Sequence, residues 1–207
     1  MKKLVIVLVL LFGAYISKAQ EEDNRKEEKT GWFKKENLFV GGDLTLGFSS
    51  NYTALGASPY FGYSINKYID VAASFNYIYT SQRDYLIYGD KVRQTQFGPG
   101  AFARIYPVKF IFAQAQFEHN FIKAKYFPAN NSGYLPSTDR IDANSLLLGA
   151  GYAGGREEDN KSFYYFSVSW DVLRNKNSPY VDGLGRAIPI IRAGYNIALF
   201  QGTRYRR

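Results

Sequence analysis

The stretch IPIIRAGYNIALF, Ile188 to Phe200, separates into two rows when every second residue is taken. Pro189, Ile191, Ala193, Tyr195, Ile197 and Leu199 form an apolar row, while Arg192, Gly194, Asn196 and Ala198 form a polar or small one. A period of two is that of a β-strand, whose successive side chains point to opposite faces. One face therefore suits water or polar partners, and the other carries no charge. A soluble barrel would turn the apolar row inward. The expectation here is that it points outward, into lipid.

The same alternation recurs upstream. It predicts strands over Asn37 to Ser49, Thr53 to Asn66, Tyr68 to Thr80, Gln94 to Tyr106, Phe110 to Lys125, Ser145 to Gly154 and Ser162 to Leu173. With Ile188 to Phe200 this gives about eight strands, each near the length a tilted strand needs to cross a hydrocarbon layer. Their apolar rows include Leu44, Phe61, Phe75, Ile105, Phe117, Leu148 and Phe166. The opposite rows hold Asp43, Asp70, Arg104, Glu118, Asp171 and Arg192. Pro59 would remove a ladder hydrogen bond within the second strand. Connections are short near residues 66, 107 and 157. Longer loops are expected over Ser81 to Arg93, Tyr126 to Asn144 (the longest) and Arg174 to Arg186. Tyr63, Tyr68, Tyr79, Phe110, Phe121, Tyr126, Trp170 and Phe200, near strand ends, read as two aromatic belts at the membrane interfaces.

The beginning of the chain has a different pattern. Lys2 and Lys3, the apolar run Leu4 to Tyr15, and Ser17-Lys18-Ala19 have the layout of a secretory signal peptide, expected to be cleaved after Ala19. The apolar run is short of the roughly 20 residues a spanning helix requires. Residues 20–36, mostly charged, cannot bury enough surface to order themselves and read as a periplasmic leader. The barrel is assigned to residues 37–200 and a basic periplasmic tail to 201–207.

Composition agrees with export. There is no cysteine among 207 residues, so no disulfide supports the fold. The formal charge of +8 includes Lys2, Lys3 and Lys18 of the signal segment. The modest excess that remains points to anionic lipid head groups and not to nucleic acid. Aromatic residues reach 17%, with 18 Tyr and 16 Phe, and there are 19 Gly. An aromatic-rich, glycine-rich, cysteine-free exported chain has the profile of an outer-membrane barrel.

Arg192-Ala193-Gly194-Tyr195-Asn196-Ile197-Ala198-Leu199, followed by Phe200, resembles the closing-strand signal of bacterial outer-membrane barrels, polar-x-Gly-x-x-apolar-x-apolar. The chain departs from that pattern by running on through Gln201 to Arg207. From Asn37 to Phe200 its layout resembles the small eight-stranded outer-membrane family typified by OmpX and the OmpA barrel domain. The resemblance implies an all-β, closed, antiparallel up-and-down transmembrane barrel in a Gram-negative cell envelope, with both termini in the periplasm.

The chemistry-bearing residues are few. Asp43, Asp70, Arg104, Glu118, Asp171 and Arg192 are expected to form a structural charge network, because the lumen of an eight-stranded barrel is just wide enough for side chains to fill. A narrow ion or solute path is the competing reading. His119, the chain's one histidine, follows Glu118. Outer-membrane enzymes that deacylate lipids resemble this layout and use a lipid-facing His and Ser two residues apart. The matching positions here are Phe117 and Phe121, so the nucleophile is missing, and His119 reads as a girdle residue. A lipid hydrolase using His119 and Glu118 is kept as an alternative. With one His and no Cys, no metal-ligand spacing is recognisable; no cofactor and no catalytic residue is assigned. The function expected is that of a non-enzymatic anchor, interaction protein or accessory subunit of an outer-membrane complex. Outer-membrane lipid is the expected partner, with other outer-membrane or periplasmic proteins as further candidates.

Overall fold

A computed structural model describes residues 33–157, 162–181 and 185–200. The chain divides into two units, Met1–Lys34 and Lys35–Arg207, and the barrel is the second. The signal peptide, residues 20–32 of the leader and the 201–207 tail lie outside the described residues.

A single 3-10 turn, Lys35–Asn37, leads into eight strands: β1 Leu38–Ser49, β2 Tyr52–Ser64, β3 Ile69–Arg83, β4 Lys91–Val108, β5 Ile111–Phe127, β6 Ser137–Gly154, β7 Phe163–Asp171 and β8 Ile190–Ala198. Each is antiparallel to its neighbour, and β8 pairs with β1 to close the barrel. Closure gives every strand a neighbour on both sides, the condition a sheet must meet in hydrocarbon, where an unpaired backbone group costs several kcal/mol. Of the three prolines inside strands, Pro107 lies where the β4–β5 register shifts, between Ile105 and Val108, and the other two are accommodated locally. Around Pro59 the β2–β3 pairs pass from Ala57–Tyr77 to Tyr60–Ser74, and around Pro99 the β4–β5 pairs pass from Phe97–Phe121 to Gly100–Glu118. Neither gap shifts the register, and Pro59 and Pro99 both face outward.

Strands β3 to β6 are longer at the loop end than the alternation predicts, whereas β7 stops two residues short of the expected Leu173 and β8 starts two residues after the expected Ile188. The expected loops Ser81 to Arg93 and Tyr126 to Asn144 shrink, because Ser81–Arg83, Lys91–Arg93, Tyr126–Phe127 and Ser137–Asn144 join the sheet. Hydropathy alternation stops where the apolar environment stops, but the hydrogen-bond ladder runs on. The longest connection is instead the one from β7 to β8, residues 172–189.

Inside, the barrel is layered. At the short-turn end Phe39, Tyr60, Phe102, Tyr106, Phe112, Phe163 and Tyr165 form an apolar floor. Four of these rings lie directly across from a glycine: Phe39 from Gly62, Tyr60 from Gly41, Phe112 from Gly151 and Tyr165 from Gly194. A Cβ at any of the four glycines would collide with the ring opposite. Each glycine thus supplies the space into which an aromatic side chain folds. Toward the loops a smaller apolar cluster of Ile78, Leu147, Tyr180 and Ile190 caps the lumen. Polar side chains fill the layer between.

Candidate functional site: the filled lumen and its outer loops

The middle layer is organised by the inner row of β5. Glu118 is fully buried. Its Oε1 accepts from Arg192 Nη2 at 2.9 Å and from Gln116 Nε2 at 2.7 Å; its Oε2 accepts from the Tyr180 hydroxyl at 2.7 Å and from Asn76 Nδ2 at 3.3 Å. Arg192 also donates to Gln116 Oε1 at 3.1 Å, and its Nε lies 3.7 Å from Asp43 Oδ1. Asp43 in turn accepts from the Tyr165 hydroxyl at 3.2 Å. A buried carboxylate needs both a cation and donors for its remaining lone pairs, and Glu118 has both.

Of the six charged residues expected to form one network, the structure brings four together. Arg104 joins Glu118, Arg192 and Asp43 through two glutamines: its Nε donates to Gln114 Oε1 at 2.6 Å, and Gln114 Nε2 donates to Gln116 Oε1 at 2.6 Å. Asp70 and Asp171 stand apart, at opposite ends of the barrel. Asp70 pairs with Arg156 Nη2 at 3.8 Å, not with Arg104, its neighbour across the β3–β4 ladder. Arg156 belongs to the β6–β7 connection, outside the expected strands, and its guanidinium lies 3.7 Å from the centre of the Tyr106 ring, closing the floor from below. Asp171 is fully buried at the other end and makes no ion pair with a described residue. It accepts from the amides of Leu146 and Leu173, each at 3.1 Å, and from the Ser178 hydroxyl at 2.6 Å.

Those last contacts fold the β7–β8 connection back over the lumen. Ser178 also meets Ser145 at 3.0 Å, and the Tyr180 hydroxyl sits between Glu118 and Gln96 Nε2, the latter at 2.9 Å. A loop tyrosine thus completes the buried network. Nothing in the alternation marks Tyr180, since it lies in an irregular segment. The one available signal is an aromatic residue between Ser178-Pro179 and Gly183, where a solvated loop has no need of one.

On the outside the polarity is reversed. Leu44, Phe61, Ile105, Phe117, Phe166 and Ile191 are exposed, and so are their neighbours around the circumference. Isolated apolar residues on a surface are ordinary, but a continuous apolar band on every strand is not. Charged groups within and grease without is the arrangement a barrel adopts in lipid. In architecture the chain is an eight-stranded barrel of the outer-membrane type.

No family model matches the sequence, and no curated protein does. Among solved structures it is similar to Ail, the attachment invasion locus protein of Yersinia pestis, in complex with the heparin analogue sucrose octasulfate. The two are 10% identical, 77% of this chain and 96% of that one are covered, and the TM-score is 0.45. It is also similar to the N-terminal β-barrel domain of Pseudomonas aeruginosa OprF, with 15% identity, 78% and 96% coverage and a TM-score of 0.44. Neisserial surface protein A gives 13% identity, 78% and 97% coverage and a TM-score of 0.41.

His119 and Glu118 fall on opposite faces of the barrel wall. Glu118 points into the lumen, whereas the His119 ring is outside, its Nδ1 2.7 Å from Asn144 Oδ1 and its centre 4.7 Å from that of the Phe121 ring in an edge-to-face pair. The two cannot act on one substrate as an acid–base pair, which removes the constellation on which the hydrolase alternative stood. Among the described residues no group of three or more His, Cys, Asp or Glu could hold a metal ion. Tyr126, expected in an outer belt, lies on the inner row of β5 and donates from its hydroxyl to Asp90 Oδ2 at 3.1 Å.

Asp90 organises the β3–β4 loop. Its carboxylate accepts from the amides of Tyr85, Leu86 and Ile87 at 2.5, 2.9 and 3.1 Å, while Asp84 Oδ1 accepts from the amide of Gly89 at 2.7 Å. Gly89 has φ of 88°, a conformation suited to a residue without a Cβ. Burial opposes ionisation of Asp90. The amides of Leu86, Ile87 and Tyr85 together with the Tyr126 hydroxyl outweigh it, holding the carboxyl below the ordinary carboxylate range. The ordered tip displays Tyr85, Leu86 and Tyr88, the last 91% exposed; from the next loop Leu135 is 82% exposed.

Proposed function

We propose that this chain is a non-enzymatic integral outer-membrane barrel that acts as an anchor and presents its loop end to a protein partner, as an interaction protein or accessory subunit of an envelope complex. Both termini then lie in the periplasm with the short turns. The observation that carries this reading is the contrast between the two regions available for function. The lumen is occupied through three layers, from the aromatic floor through Glu118 and Arg192 to the Tyr180 cap. That arrangement supports a structural core over a solute path. The loop end, by contrast, holds bulky apolar side chains in water on a turn fixed by Asp90. Rigid, exposed aromatic residues offer contact area at low entropic cost, which is how interface anchors work.

Two measurements test the proposal. In a bilayer, Leu44→Arg costs about 2–4 kcal/mol if Leu44 lies near the midplane, whereas Thr45→Arg, on the inner row, costs only what its fit requires. The reverse order would remove the membrane. A photo-crosslinking residue at position 88 and another at 135 should capture the same envelope protein, and one at 191 should capture lipid. If positions 88 and 135 yield no shared adduct, the loop end is not the contact surface.

A further inference from the structure

The loop-end rim of the sheet is charged in a particular way. On β4 and β5 the outward row continues past Phe97 and Phe121, whose rings stack at 5.6 Å. Arg93 and Lys91 follow on β4, Lys123 and Lys125 on β5, with Arg83 on β3 and Arg140 on β6 on the same face. The register sets like charges opposite one another: Arg83 faces Lys91, Arg93 faces Lys125 and Lys123 faces Arg140. Directly opposed like charges destabilise a sheet. None of the six makes an ion pair with a described carboxylate, and Arg93 rests over the Phe127 ring at 5.1 Å. Asp142 is the one described acid on this face.

Height decides what meets these cations. Lys123 and Lys125 lie two and four residues beyond Phe121, about 7 and 13 Å along the strand. For a strand tilted by about 40° that is about 5 and 10 Å above the aromatic ring pair. The polar head-group layer occupies about 5–8 Å on each side of the hydrocarbon. We infer that Arg93, Lys123, Lys125 and Arg140, whose long side chains reach down into this layer, form a binding surface for the phosphate groups of lipids in the leaflet surrounding the loop end, with Arg83 and Lys91 standing further out. Anionic head groups between the opposed cations turn two repulsive pairs into bridged ones. The patch is one-sided: β7 ends at Asp171 and β8 begins at Ile190, so the opposite wall has no such extension. Bound lipid therefore collects beside β4–β6.

This inference rests on the membrane-barrel reading, and the experiment separates the two. The full chain is reconstituted into phosphatidylcholine vesicles, and into the same vesicles doped with lipid A. Lipid retained on the protein through detergent exchange and the unfolding temperature are then measured. The wild type should retain lipid A and unfold at a higher temperature in the doped vesicles. The variant R93Q/K123Q/K125Q should lose affinity for lipid A by about fivefold per charge removed, and in pure phosphatidylcholine it should be at least as stable as the wild type. The variant K67Q/K109Q, altered at the turn end, should behave as the wild type does. Equal lipid A retention by the wild type and R93Q/K123Q/K125Q, or an equal loss in K67Q/K109Q, would overturn the site. Equal protection by inorganic phosphate in undoped vesicles would overturn its assignment to lipid. A chain that inserts into neither kind of vesicle would overturn the membrane reading and the lipid surface with it.

Discussion

Arg104 and Arg192 are both buried in the lumen, one layer apart, and the two layers handle a positive charge in different ways. Arg192 is neutralised by carboxylates, Glu118 at 2.9 Å and Asp43 at 3.7 Å. Arg104 has a glutamine oxygen and four aromatic faces, with ring centres of Tyr165, Phe102, Phe112 and Tyr60 between 4.2 and 5.4 Å from its guanidinium. In the middle layer charge meets charge. In the floor, charge meets the negative face of π systems, a weaker attraction that leaves no anion behind if the cation is removed. The same residue type can therefore be indispensable in one layer and replaceable in the next.

Removing the cations one at a time should break or sharpen this contrast. Arg192→Leu leaves Glu118 and Asp43 buried without a counter-charge and should cost about 3–5 kcal/mol of unfolding free energy in vesicles. The double change R192L/E118L should recover part of that loss, because the closely paired charges go together and only Asp43 is left without its cation. Arg104→Leu strands no carboxylate and should cost about 2 kcal/mol, the scale of a desolvated cation–π contact. Denaturant titration of the three variants decides the matter. If Arg104→Leu is as damaging as Arg192→Leu, the two layers do not differ as described.

The floor can be probed from its glycines. Gly151→Val places a branched side chain where the Phe112 ring lies and where the Phe166 carbonyl closes in from behind. Overpacking of this kind costs about 1–3 kcal/mol. Combining it with Phe112→Ala should restore part of the loss, since the ring that collides is then gone. No recovery in the double variant would mean that the neighbouring strand backbone, and not the ring, sets the limit.

Much of this interior was legible from the alternation of the chain, and the exceptions have a common cause. Asp43, Arg104, Glu118 and Arg192 were assignable to the lumen because each lies in a polar row facing an apolar one. Phe39, Tyr106, Phe112, Phe163 and Tyr165 share the inward parity but are themselves apolar. Where both rows are aromatic, a period of two gives no contrast to read. The pairing of Gly151 with Phe112 needs the register, which depends on turn geometry. Ser137–Asn144 read as loop for the opposite reason, since a strand above the bilayer has polar side chains on both faces. Arg156 and Tyr180 lie in irregular segments whose direction only the folded chain defines.

The smallest expected effect concerns a carboxylate that has neither cation nor ring. Asp90 is held by three amides and a tyrosine hydroxyl, as Asp171 is held by two amides and a serine, so both sit outside the charge-for-charge pattern of Glu118. Because the folded-state pKa of Asp90 is depressed, its contribution to loop order is fully present above the ordinary carboxylate pKa. It is lost as the pH falls through the lower folded value. Amide exchange at Leu86 and Ile87 should therefore be slow and flat across neutral pH, once corrected for intrinsic rates, and should quicken relative to strand amides below about pH 4. Asp90→Asn should show the fast exchange at every pH while the barrel keeps its unfolding temperature. An acid transition that survives in Asp90→Asn would assign the titration to another group and leave the tip's rigidity without its carboxylate.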